Sequence, residues 1–260
     1  MCTLTLAWQV FPDAPVVVAA NRDERRDRPS EPPTRRGSDP WIVAPRDAEA
    51  GGTWIGYNEA GLFVGITNRW RAEARAERSR GRLVDDALQE TDAEAAARLV
   101  ERSVADHDYD GFNLVVADAT GAYLFEWDGD LRKIRLHPGV HVVVNSGAAL
   151  GGGGAVTDRF VTPEGDGAER AAEQMANARA VRAELTPEPG EDAASWLDRA
   201  GDVLADHEYG VCIHEDGYGT RSSSLIRLGD EPTFRFAPGP PCETAYRTAD
   251  ANADADESQL

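Results

Sequence analysis

Strands that cluster before and between helices, without the regular strand–helix–strand alternation of a parallel sheet, predict an α+β protein built on antiparallel sheets. Three observations carry this expectation. Five apolar, β-branched stretches follow one another early in the chain, with Pro, Gly and Asp clusters between them. Apolar spacing of three and four residues appears only in two later zones, and strand-like segments return after each. The chain has 260 residues, 41% of them hydrophobic, which is enough to bury the core of one large domain. That domain is expected over residues 1–248, followed by a disordered acidic tail over 249–260, because TADANADADESQL is low in complexity and has little to bury.

The elements follow in order. TLTLAW and VVVAAN read as strands, and a tight turn between Cys2–Trp8 and Val16–Ala20 makes them a hairpin. WIVAP, GTWIGYN and GLFVGITN continue the series. From about Gly81 to His107 the spacing turns helical, in GRLVDDAL and then in DAEAAARLVERSVADH. FNLVVAD, YLFEWD and HVVVNS are strands again. A second helical zone spans roughly Ala168–Leu185 and Ala193–Ala205, and RSSSLIRL and TFRFAP supply closing strands.

Charge narrows the functional classes. Against 46 acidic residues stand 27 basic ones, a net charge of −19, and Lys133 is the only lysine. Such a surface resembles that of proteins adapted to high salt, where dense counterions screen carboxylate repulsion. It argues against nucleic acid or an anionic membrane as partner. No stretch approaches the ~20 apolar residues of a membrane span. Pro12, Asp13 and Pro15 interrupt the first apolar run, so it does not read as a secretory signal, and the expected location is cytoplasmic.

Cys2 raises the question of chemistry. One reading is a small buried hydrophobe at the head of a strand. The other is a nucleophile: removal of Met1 would leave thiol and α-amine on one residue, and an amine with pKa of about 8 can serve as the thiol's base. The AANRDE stretch ends the next strand, and the hairpin returns Asp23 to the neighbourhood of Cys2, where a carboxylate could orient the amine or a substrate nitrogen. Read alone, Asn21, Arg22, Asp23 and Glu24 could equally be a polar turn with a local ion pair.

Other segments read as structural. GGTW implies close backbone packing at Gly51 and Gly52, with Trp54 in the core or walling a pocket. Gly151 to Gly154 lacks the Lys and Ser/Thr of a phosphate loop. Cys2, Cys212 and Cys242 show no CxxC spacing, and neither the HPGVH histidines, His137 and His141, nor the Cys212–His214 pair reads as a metal site. No metal is therefore expected.

The opening MC together with AANRDE, GGTWIG, GLFVGITN, GFNLVVAD and DGYGTRSSSLI resembles the NRDE family, which includes the transport and Golgi organisation 2 proteins. That family is similar in turn to N-terminal nucleophile hydrolases of the penicillin V acylase and choloylglycine hydrolase group. The resemblance implies a four-layer αββα sandwich, with antiparallel sheets face to face and helices outside. It implies Cys2 as nucleophile, Asp23 beside its amine, Asn68 and Asn145 as oxyanion donors, and Arg221 as a late active-site arginine. Asn21, Arg22 and Trp54 are the expected substrate contacts. One position departs from the acylase group: where those enzymes carry an arginine three residues before the aspartate, this chain has Ala20, and Arg22 is the nearby cation. The activity implied is hydrolysis of a C–N amide bond in a small molecule, with no cofactor. The alternative is a non-catalytic carrier of haem or an acyl lipid on the same fold.

Overall fold

The first hairpin forms where the two apolar, β-branched stretches place it. β1 (Thr3–Phe11) and β2 (Ala14–Arg25) pair antiparallel, with Thr3 opposite Asn21 and Trp8 opposite Val16. β2 runs straight through Asn21–Glu24 instead of turning there, because β14 (Tyr218–Leu228) supplies a partner for that half of the strand. This computed structural model describes residues 2–70, 76–153, 156–165 and 167–249. Apart from Ala249, the tail expected over 249–260 lies outside the described residues, as does Met1.

Two antiparallel sheets are built around that hairpin. In the first, β12 (Thr157–Phe160), β11 (Gly147–Leu150) and β10 (Gly139–Val144) lead to β1 and β2. Beyond them lie β14, β15 (Thr233–Ala237) and β16 (Arg247–Thr248), and the short β13 (His214–Glu215) pairs with β14. The second sheet keeps sequence order: β3 (Ser30–Arg36), β4 (Ile42–Asp47), β5 (Ile55–Asn58), β6 (Phe63–Asn68), β7 (Phe112–Ala117), β8 (Ala122–Trp127) and β9 (Leu131–Arg135).

Three apolar layers hold four layers of structure. Between the sheets lie Leu4, Leu6, Val18, Ile55, Phe63, Leu124, Val143 and Ile226. The outer face of the first sheet, Val17, Val142 and Val144 among others, packs on Val181, Trp196 and Leu204 of α3 (Gly167–Glu184) and α4 (Ala193–Ala205). The outer face of the second, through Val64, Leu114 and Val116, packs on Leu83, Val84 and Val100 of α1 (Arg80–Ala87) and α2 (Ala93–Asp106). Each such side chain contributes roughly 1.5–3 kcal/mol when fully buried. The αββα sandwich is thus the arrangement that covers both faces of both sheets.

Local signals set the helix ends. Ser79, Asp92 and Asp192 occupy the N-caps of α1, α2 and α4, and their side chains accept from Gly81, Ala95 and Ser195 backbone N–H groups. β3 is not legible as a strand, since Pro32 and Pro33 remove two donors. It is tolerated because it forms the sheet edge, with a register shift between Glu31 and Thr34.

Candidate active site

Cys2 stands just before β1, and β1 lies between β2 and β10, with Thr3 opposite both Asn21 and Val144. The next residue after β10 is Asn145, whose Oδ1 accepts from the Cys2 backbone nitrogen at 2.8 Å. The Cys2 thiol donates to the Asp23 carbonyl oxygen at 3.6 Å. A residue at the head of a central strand is therefore fixed by its neighbours on both sides.

Asp23 is buried, and its Oδ1 accepts from Thr220 Oγ1 at 2.5 Å, while Tyr218 donates its hydroxyl to the Asp23 carbonyl at 3.3 Å. Burial raises the Asp23 carboxyl above its ordinary range, opposed by the Thr220 hydrogen bond. Burial first, and the Asp23 carboxylate second, push the Cys2 thiol up as well, although part of the residue's surface stays accessible. At neutral pH this cysteine is held mainly as a thiol. It needs a base before it can attack.

Opposite Arg22 of β2, the second sheet supplies Asp47 at the end of β4 and Trp54 just before β5. Arg22 is buried with its guanidinium over the Trp54 ring, 4.2 Å from the centroid, and lies 3.4 Å from Asp47 Oδ2. Asp47 also accepts from Arg28 Nε at 2.8 Å, and the Glu49 and Ala50 backbone N–H groups donate to its Oδ1 at 3.1 Å. Burial lowers the Arg22 pKa, yet the surrounding Cys2, Glu24 and Asp47 all favour its charged form. Although neighbouring residues on a strand project to opposite sides, Arg22 and Asp23 both border one cavity of about 100 Å³, together with Cys2, Trp54 and the exposed Asn68 at the end of β6.

Two expected site residues are employed elsewhere. Asn21 spends both N–H groups on the carbonyls of Leu204 and Val211, at 2.9 Å each, and so ties β2 to the end of α4 and the loop behind it. Its side-chain N–H groups hold structure together, and Asn21 lines only a small hollow of about 20 Å³ beside Cys2, Arg22 and Trp54 rather than the larger cavity. Arg221 does not join Cys2 either. The ladder between β2 and β14 pairs Thr220 with Asp23 and Ser222 with Arg22, leaving Arg221 as the extra residue of a bulge. It lines a separate hollow of about 470 Å³ with Pro32, Pro33, Phe236 and Arg247. A bulge re-aims a side chain without leaving a mark in the sequence. The resemblance that suggested Arg221 could not reveal it.

Arg80, Ser79 and Thr53 border the cavity too, and sequence reasoning passed over them. Arg80 is the first residue of α1 and donates to the Gly111 carbonyl at 2.8 Å. Burial lowers its pKa, against Asp110 and Cys2, which favour its charge. Gly52 is what brings this helix end to the cavity. Its φ is +81°, and a Cβ there would sit 2.4 Å from the Gly81 carbonyl carbon, so GGTW is a close backbone approach that leaves Trp54 facing the pocket. The one available signal was Ser79 as a helix N-cap.

The architecture defines a class: the fold is that of N-terminal nucleophile hydrolases. The chain is similar to a penicillin V acylase from Agrobacterium tumefaciens, with a TM-score of 0.56 and 14% identity, over 91% of this chain and 83% of that one. A conjugated bile acid hydrolase from Clostridium perfringens gives 0.55 and 10%, over 95% and 92%. An N-acylethanolamine-hydrolyzing acid amidase ortholog from Caenorhabditis elegans gives 0.54 and 13%, over 86% and 92%. At these identities the likeness is one of fold.

The family model described as Transport and Golgi organisation 2 matches residues 1–237, and the chain belongs to that family. The Transport and Golgi organization protein 2 homolog of Homo sapiens is 36% identical over 116 residues, which is 41% of this chain and 40% of that protein. The Mus musculus homolog is 36% identical over 107 residues, 40% of this chain and 38% of that protein. These matches thus span about two fifths of the relatives' length.

Among the described residues, no helix is long and apolar enough to cross a membrane.

Proposed function

We propose that this chain is an N-terminal cysteine nucleophile hydrolase that cleaves a C–N amide bond of a small polar molecule. The observation that carries the reading is the hydrogen bond from the Cys2 nitrogen to Asn145 Oδ1 at 2.8 Å, at a cavity that Asn68 also borders. Once Met1 is removed, that nitrogen is a free amine, already held beside the thiol. It takes the thiol proton, and the thiolate attacks the amide carbon. Asn145 keeps its side-chain N–H groups for the developing oxyanion, and Asn68 supplies the second donor. Each such donor lowers the barrier by roughly 3 kcal/mol.

As the C–N bond breaks, the ammonium returns its proton to the leaving nitrogen and the acyl group remains on sulfur. Water then attacks the thioester, with the amine as base, and releases a carboxylic acid and the free thiol. Asp23 orients the amine. Arg22, Arg28 and Arg80, set against Glu24 and Asp47, give the cavity a polar lining that favours a polar acyl portion. A carrier of haem or an acyl lipid draws no support from this cavity, whose volume of about 100 Å³ is well below the ~300–1,000 Å³ that holds drug-sized ligands.

The intact mass of the protein isolated from its native host is the first test, and the expected value lacks Met1. Incubation with a library of N-acyl amines and N-acyl amino acids should then release amine and leave a transient acyl adduct on Cys2, both abolished in Cys2→Ala. Retention of Met1 in the native protein overturns the mechanism and leaves the fold standing.

A further inference from the structure

Behind the wall that carries Asp23, the fold gathers four side chains that are scattered in the sequence. His207 opens the one-turn 3-10 helix His207–Tyr209, Cys212 and His214 follow it, and Cys242 comes from the turn beyond β15. Cys212 Sγ lies 3.5 Å from Cys242 Sγ and 3.6 Å from His214 Nε2, and His214 Nε2 lies 3.1 Å from Cys242 Sγ. One ligand atom from each of the four residues falls within 4.8 Å of all the others. No two are in sequence positions that a zinc motif would flag.

From these contacts we infer a structural zinc site of the Cys2His2 type, formed by His207, Cys212, His214 and Cys242. Bond lengths of about 2.3 Å to sulfur and 2.0–2.1 Å to nitrogen in a tetrahedron separate two sulfurs by about 3.8 Å and a sulfur from a nitrogen by about 3.6 Å. Three of the pairs already stand within about half an ångström of those separations, and a small movement of the exposed His207 ring completes the shell. Two thiolates and two neutral imidazoles neutralise a dication and give a borderline-soft donor set that suits zinc. Binding therefore releases both thiol protons.

The surroundings fit a ligand role. His214 Nδ1, the other ring nitrogen, lies 3.9 Å from Glu243 Oε1, so a small rotation of the exposed Glu243 side chain would give a ligating imidazole an outer carboxylate partner. Four protein ligands leave no open position, so the ion braces and does not catalyse. What it braces is specific. Val211 O accepts from Asn21, Ile213 N donates to Thr220 Oγ1 at 2.9 Å, and that same oxygen donates to Asp23 at 2.5 Å. The ion clamps the turn at Cys242 to the loop that holds Thr220 under Asp23. Nothing in this assignment depends on Cys2 being a nucleophile.

Elemental analysis of the full chain, purified under a reductant, tests it: one zinc per chain is expected. Replacing zinc with Co²⁺ should give a thiolate-to-cobalt charge-transfer band and the strong visible absorption of a tetrahedral ion. With metal bound, a thiol reagent should titrate Cys2 alone, and a chelator should expose Cys212 and Cys242 and lower the Tm by roughly 5–10 °C. Cys242→Ser and His214→Gln should lose stoichiometric zinc with native circular dichroism, while Cys2→Ala keeps it. If a variant does not fold, the cobalt spectrum of the unsubstituted protein still decides whether sulfur ligates. A fully reduced chain that takes up no equimolar zinc overturns the site, as does zinc retained in a Cys212→Ser/Cys242→Ser double variant.

Discussion

One buried histidine, His141, should by itself cost this protein stability as the pH is lowered from 7 to 4. Its side chain is buried in β10, with Nε2 2.9 Å from the His137 carbonyl and Nδ1 buried without a hydrogen-bond partner among the described residues. A proton on Nδ1 would thus be a buried donor with nothing to accept it, and burial lowers the pKa from 6.5 to about 4, aided by charge on His137 and Arg182. The unfolded chain takes up a proton near 6.5 that the folded chain refuses until about 4. Stability is fully present above the upper value and falls as pH drops through the window, levelling off below it. At 1.36 kcal/mol per pKa unit the loss comes to about 3 kcal/mol.

The assay is equilibrium denaturant unfolding at molar KCl across this pH range, for the unsubstituted chain and for His141→Gln, whose amide can still donate to the His137 carbonyl. The raised Asp23 carboxyl acts in the opposite sense, since its protonation favours the folded state as pH falls. Asp23 is present in both proteins, so the difference between them isolates the histidine. Near pH 5 the unsubstituted chain should lose ~1.4 kcal/mol more per pH unit than the variant. Equal slopes would refute the argument.

Three further outcomes are expected. The excess of 19 negative charges should make Tm climb steeply from dilute to molar KCl, where the Debye length is about 3 Å, and a flat curve would remove the high-salt reading. Arg22→Lys should destabilise by about 1–2 kcal/mol, because an ammonium cannot both stack on Trp54 and pair with Asp47, and should change the rate of Cys2 alkylation by iodoacetamide. Arg221→Lys should leave that rate unchanged, since Arg221 borders a different hollow. A matched effect of the two substitutions would place both arginines at one site.

The sequence by itself determined what depends on neighbours a few residues apart. The alternating stretch from Thr3 to Trp8 and the continuous apolar, β-branched run from Val16 to Ala20 specify the hairpin, and the hairpin brings Asp23 to Cys2. Asp92 and Asp192 cap helices within their own first turn. Only tertiary structure decided what depends on closure between distant segments. The extra residue in β14 turns Arg221 away, the edge of a sheet accommodates Pro32 and Pro33, and Asn21 becomes a tie to α4 because that helix ends above it. Arg80 reaches the cavity because Gly52 lets one backbone approach another. His207, Cys212, His214 and Cys242 meet for the same reason. Linear spacing records periodicity along one element, whereas a cluster drawn from a 3-10 turn, the strand segment after it and a distant turn has no period, and exists only once the sheet brings those ends together.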